Sequence, residues 1–179
     1  MSGVRIDRKG EENLALIDKD QGLIIAANHS SFLDYFALQE ALDLPLVFAV
    51  WRAGFKIPLL RRVYRHLGYV GLGKKEENLR FSIMTARLIE GKGRLAIMSR
   101  PNSEDESMAQ YGDSLIGLSL SSKTPILPVA IKNASQVMPL GKWRVNSGKI
   151  SVNIGKPAFF NSTAELQAEI RRLYSPHPA

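Results

Sequence analysis

Cysteine is absent from the 179 residues. That excludes disulfides, thiolate metal sites and a cysteine nucleophile, and it fits a reducing compartment. Histidine is nearly as scarce: His29, His66 and His177 are the whole complement. Three imidazoles argue against a poly-His metal site. No window reaches the roughly 18 unbroken apolar residues that a membrane span requires. The opening stretch, MSGVRIDRKGEENLALIDKD, has no apolar signal-peptide core. The reading is therefore a cytoplasmic protein whose membrane contact is peripheral. Internal repeats and low-complexity linkers are also missing, so residues 1–179 are read as a single domain.

What is present is ordinary in amount and uneven in charge. Apolar residues make up 45% and charged residues 23%, enough for a packed core. The formal net charge is +7. Such an excess attracts an anionic partner: a phosphorylated substrate, an acidic carrier protein, nucleic acid or an anionic membrane. Nucleic acid ranks last, because no zinc-finger, basic-zipper or RNP-type motif accompanies the charge.

Short apolar runs alternate with amphipathic stretches, the pattern of an α/β domain. Strands are predicted over 22–28, 46–51, 69–72, 94–98, 126–131 (despite Pro128) and 149–154. Helices are predicted over 31–42, 56–67, 76–90, 111–121 and 164–174. Gly91-Lys92-Gly93 is expected to end the third helix as a glycine cap. Residues 99–106 read as a polar loop.

The informative segment is Ala27-Asn28-His29-Ser30-Ser31-Phe32-Leu33-Asp34. A buried strand ends, a histidine follows, and a helix begins, at the kind of sheet edge where ligands bind. On one ideal helix, residues five apart point about 140° away from each other. His29 and Asp34 can converge only if His29 precedes the helix and Asp34 lies in its first turn. Asp34 would then fix the imidazole tautomer and leave the other nitrogen as a base. The helix N-terminus would offer backbone N–H groups to a developing oxyanion. Ser31-x-x-Asp34 also fits a capping box, which by itself accounts for Asp34 but not for His29. The residues alone leave both readings open.

Asn28-His29-x4-Asp34 resembles the first signature block of the glycerolipid acyltransferases of the lysophosphatidic acid acyltransferase type. Phe55-Lys56-Ile57-Pro58 and Gly68-Tyr69-Val70 resemble the second block. Pro125-Ile126-Leu127-Pro128-Val129-Ala130-Ile131 is similar to the fourth. The resemblance spans about residues 22–160 and implies a mixed, largely parallel sheet flanked by helices. It implies an O-acyltransferase with His29 as general base and Asp34 as its partner, using no metal and no cofactor. The donor would be acyl-CoA or acyl carrier protein, and the acceptor a hydroxyl of a lysophospholipid or other lipid. Asn28, Ser30, Lys56, Lys74 and Arg100 would contact substrate.

The third block departs from the family pattern F-P-E-G-T-R. Here it reads Met98-Ser99-Arg100-Pro101-Asn102-Ser103, with Arg100 in place of the glutamate and Ser103 in place of the arginine. Lys74 stands near the place of the second block's arginine, and Tyr111-Gly112-Asp113-Ser114 lacks the lysine of F-K-x-G. These departures fall on the acceptor side; Arg100, Lys74 and Lys75 are candidates for a rearranged anion site, the other reading being an Arg100 simply solvated in a polar loop. The alternative is a catalytically weak lipid- or acyl-carrier-binding protein on the same fold. Residues 51–65 interleave aromatic and aliphatic residues with five basic ones, a pattern that suits an anionic lipid surface and equally a helix packing Ile57, Leu60 and Tyr64 inward with its arginines in water; the lipid substrates that the resemblance implies favour the first.

Overall fold

The computed structural model describes residues 3–51, 69–72, 75–99, 106–139, 142 and 144–175, with the backbone alone at 51, 69–72, 75–82 and 106–111. In chain order the elements are β1 (Val4–Lys9), a 3-10 helix (Glu11–Leu16), β2 (Leu23–Asn28), α1 (Leu33–Leu42), β3 (Leu46–Trp51), β4 (Tyr69–Leu72), α2 (Lys75–Glu90), β5 (Arg94–Ser99), α3 (Glu106–Ser122), β6 (Ile126–Lys132), α4 (Ala134–Val137), β7 (Gly148–Ile154) and α5 (Thr163–Tyr174). The strands form one sheet in the order β1-β7-β6-β2-β5-β3-β4. Every neighbouring pair is parallel except β6 and β7. The expected mixed, largely parallel sheet with flanking helices is the architecture found.

β2 lies at the centre, between β6 and β5, and all six of its residues are buried. A strand covered on both faces needs an unbroken apolar run, which LIIAA supplies. Its side chains alternate between two cores. Leu23, Ile25 and Ala27 pack with Tyr35, Ala37, Leu38 and Ala41 of α1. Ile24 and Ala26 face Ile89 of α2, Leu115 and Ile116 of α3, and Leu166 of α5.

Pro128 sits inside β6 opposite Ala26 without disturbing the sheet. The antiparallel ladder to β7 covers only Val129 to Lys132. Pro128 faces that side, where its carbonyl accepts from the Gly155 N–H at 2.9 Å. Its missing N–H therefore points beyond the end of the ladder, where a proline is tolerated.

Two expectations shift. The helix before β5 ends not on a left-handed glycine but on Lys92, whose φ is 61°. The Gly93 N–H bonds the Leu88 carbonyl, and a Cβ there would meet the Leu88 side chain at 2.3 Å. Gly93 is thus required for close approach rather than for its φ. The helix expected over 111–121 begins at Glu106, because the polar run E-S-M-A-Q contains no helix breaker. The predicted helix over 56–67 lies outside the described residues.

Candidate active site

The site is built where β2 stops. Its ladder to β6 ends at the Ala27–Val129 pair. One residue later the Asn28 side chain takes over: Nδ2 donates to the Ile131 carbonyl and Oδ1 accepts from the Ile131 N–H, each at 2.7 Å. On the other flank the His29 N–H donates to the Ser99 carbonyl at 2.6 Å, tying the histidine backbone to the end of β5. His29 is therefore held from both neighbouring strands.

The turn into α1 is held just as closely. The Ser31 hydroxyl donates to the Met138 carbonyl at 2.6 Å and accepts from the Leu33 N–H at 3.1 Å. Asp34 Oδ2 accepts from the Ser30 N–H at 2.6 Å and the Ser31 N–H at 2.7 Å. The same oxygen lies 3.0 Å from His29 Nδ1. The capping and histidine-orienting readings of Asp34 thus describe one carboxylate oxygen with three contacts. Oδ1 has no partner among the described residues.

This geometry fixes the imidazole. Oδ2 can only accept, so Nδ1 carries the proton and donates. Nε2 is left as the basic nitrogen, with no partner among the described residues. Asp34 is fully buried, whereas His29 keeps 14% of its side-chain surface exposed. The Tyr35 ring meets the imidazole edge-on at 5.3 Å and Phe48 meets Tyr35 in the same manner at 5.2 Å. Edge-to-face aromatic packing of this kind limits ring rotation.

The oxyanion role expected of the α1 N-terminus is not supported. The N–H groups of Ser30, Ser31, Leu33 and Asp34 are all satisfied inside the turn, by Asp34 Oδ2, the Ser31 hydroxyl and the Ser31 carbonyl. The dipole remains, but those donors are spent within the turn, on Asp34 Oδ2 and on Ser31.

Of the residues expected to contact substrate, Ser30 is half-buried beside His29 and lends its N–H to Asp34. Asn28 is buried, with its amide engaged by Ile131. Lys56, Lys74 and Arg100 lie outside the described residues, as does the basic stretch after Trp51. Ser99, Tyr35 and Met138 also support the site, with no sequence signal for that role. Ser31, read from the capping-box spacing, supports it as well. Among the described residues no three His, Cys, Asp or Glu side chains gather to hold a metal, and no helix is long and apolar enough to cross a membrane.

The chain matches known proteins over the region that carries this geometry. A 1-acyl-sn-glycerol-3-phosphate acyltransferase of Chlamydomonas reinhardtii is 24% identical over 167 residues, covering 91% of this chain and 49% of the relative. The chain thus spans about half the length of that relative. The crystal structure of the 1-acyl-sn-glycerophosphate acyltransferase PlsC from Thermotoga maritima shares the fold with a TM-score of 0.68 and 24% identity, over 95% of this chain and 69% of that one. The sequence model of the Acyltransferase family matches residues 5–132, from the start of β1 through His29 and Asp34 to the end of β6, and the chain belongs to that family.

Proposed function

We propose that this chain is an O-acyltransferase that moves a fatty acyl group from a thioester donor, acyl-CoA or acyl carrier protein, to the hydroxyl of a lysophospholipid-type acceptor. The observation that carries the reading is the 3.0 Å contact between Asp34 Oδ2 and His29 Nδ1. It directs the basic Nε2 away from the carboxylate and towards an incoming hydroxyl. Family membership and the named relatives' activity on acylglycerol phosphates support the same substrate class.

In this reading the acceptor O–H gives its proton to His29 Nε2 as its oxygen attacks the thioester carbonyl. A tetrahedral adduct forms. Its collapse breaks the C–S bond, and the imidazolium returns the proton to the leaving thiolate. The products are an ester and a free thiol, with His29 restored. Asp34 holds the ring in one tautomer and stabilises the transient imidazolium. Oxyanion stabilisation falls to groups other than the α1 turn, whose N–H donors are engaged. The chain acts as one catalytic domain at the membrane surface, where its lipid acceptor resides.

The test is thiol release from acyl-CoA and from acyl carrier protein thioesters, across a panel of lysolipid acceptors, with His29→Ala beside the wild type. Acceptor-dependent release lost in His29→Ala is the expected result. Lipid binding without release above the mutant would replace the transferase reading with the binding-protein alternative.

A further inference from the structure

A groove of about 590 Å³ lies away from His29, between α5 and the β6–β7–β1 side of the sheet. It opens on the face opposite α1: Asn153 on its wall alternates along β7 with Val152 and Ile154, which pack into the α1 core. Its volume falls in the range of small-molecule sites, about 300–1,000 Å³.

The lining is charged in one direction. Lys9, Lys132, Lys156 and Arg172 face Glu12 and Glu169. Glu169 is already taken: Arg172 grips both of its oxygens at 2.7 Å. Three lysines, at the ends of β1 and β6 and in the loop after β7, then confront Glu12 alone, and among the described residues none of them has a carboxylate partner. Among the described residues the Lys132 ammonium donates to the Ser175 carbonyl at 3.3 Å and stands 5.7 Å from the centre of the Tyr174 ring. Burial, and then the charge of Lys9, lower its pKa from the usual lysine value. Concentrated positive charge with low-dielectric walls focuses anions.

We propose that this groove binds a phosphate-bearing small molecule, with Lys9, Lys132 and Lys156 holding its phosphoryl oxygens. Phosphate is favoured over a single carboxylate because its several oxygens can engage ammonium groups arriving from different walls. The proposal does not rest on the acyl-transfer reading, since no lining residue takes part in the His29 site. Two sources share the chemistry: the phosphates of a nucleotide such as those of coenzyme A, and the headgroup of an anionic lipid.

The experiment titrates the full chain with pyrophosphate by calorimetry. Wild type is compared with Lys132→Gln, with Lys9→Gln/Lys156→Gln, and with the charge-matched control Lys19→Gln/Lys142→Gln, whose lysines lie outside the groove. Lys9 and Lys156 are exposed, so the pair keeps the test sound if Lys132→Gln folds poorly. We expect the groove variants to bind about tenfold or more weakly and the control to change less than about twofold. Displacement of pyrophosphate by adenosine 3′,5′-bisphosphate assigns the nucleotide source. Groove-dependent sedimentation with phosphatidylglycerol vesicles, but not with phosphatidylcholine, assigns the headgroup. Equal weakening in groove and control variants would overturn the proposal. So would pyrophosphate binding that neither competitor displaces, which leaves only a site for free anions.

Discussion

Asn28 pairs with the backbone of Ile131 as though it were one more strand residue, exchanging two hydrogen bonds of 2.7 Å through its side chain after the β2–β6 ladder has ended. This lets the β2 main chain turn towards α1 while staying anchored to β6. Replacing the amide leaves the Ile131 N–H and carbonyl unpaired in a buried place, and such a loss costs about 1–3 kcal/mol per group. Asn28→Ala is therefore expected to lower stability by about 2–6 kcal/mol in urea denaturation. Thioester turnover should fall with it even under conditions where the variant is fully folded, because His29 follows Asn28 directly.

Asp34→Asn tests the orientation of the imidazole. The Ser30 and Ser31 N–H groups still find an acceptor oxygen, so the turn into α1 should survive. The carboxylate that selects the Nδ1–H tautomer is lost. Acceptor-dependent thiol release is expected to drop by about 10²–10⁴, the scale of positioned acid–base catalysis, while the thermal midpoint moves by a few degrees. A collapse of the fold with no specific loss of rate would assign Asp34 to capping alone.

Gly10 offers a test remote from the chemistry. It turns the chain from β1 into the 3-10 helix with φ of 79°, and a Cβ there would stand 2.1 Å from the Ile154 carbonyl oxygen. Asn13 donates to that same oxygen at 3.0 Å. Gly10→Ala combines left-handed strain of about 1–2 kcal/mol with a backbone collision. Calorimetry should show a lowered melting temperature, more than for alanine at exposed Gly117, where a Cβ meets nothing within 4 Å.

Acid titration of the Glu169–Arg172 pair has a defined sign. The hydrogen bond from Arg172 is the main cause holding the Glu169 pKa below its ordinary 4.5; burial opposes it, and the Arg172 charge adds a smaller lowering. A carboxyl depressed on folding adds stability that is fully present above its unfolded pKa and is lost as pH falls through the folded one. Glu169→Gln should melt below wild type at pH 7, and the two should converge as the pH drops well under 4.5. The effect should be small, since the arginine is more than half exposed and solvent screens the pair.

The central strands were legible because they are uniform: a strand buried on both faces must be written as an apolar run, and LIIAAN, LVFAVW and ILPVAI are such runs. β1 was not foreseen because VRIDRK lies at the sheet edge, where its outermost residues are exposed and charge interrupts the pattern. The His29–Asp34 contact could be anticipated from a strand end followed by a helix start. Its second duty could not be ranked, since a capping box and a His–Asp pair share the same letters. The fate of Asn28 was hidden for a different reason. Its partner, Ile131, is 103 residues away, and no local spacing announces a side chain that imitates a strand.

Among the described residues β1 pairs only with β7, joining Val4–Lys9 to Gly148–Asn153. Its ladder therefore closes a loop that encloses almost every other element. During synthesis β1 leaves the ribosome before the other six strands of this sheet and waits for its partner until β7 has emerged. Closing so long a loop is slow, and the ladder should form late in refolding as well. Meanwhile β1 carries Arg5, Asp7, Arg8 and Lys9. Those charges keep an unpaired edge from adding to another nascent chain.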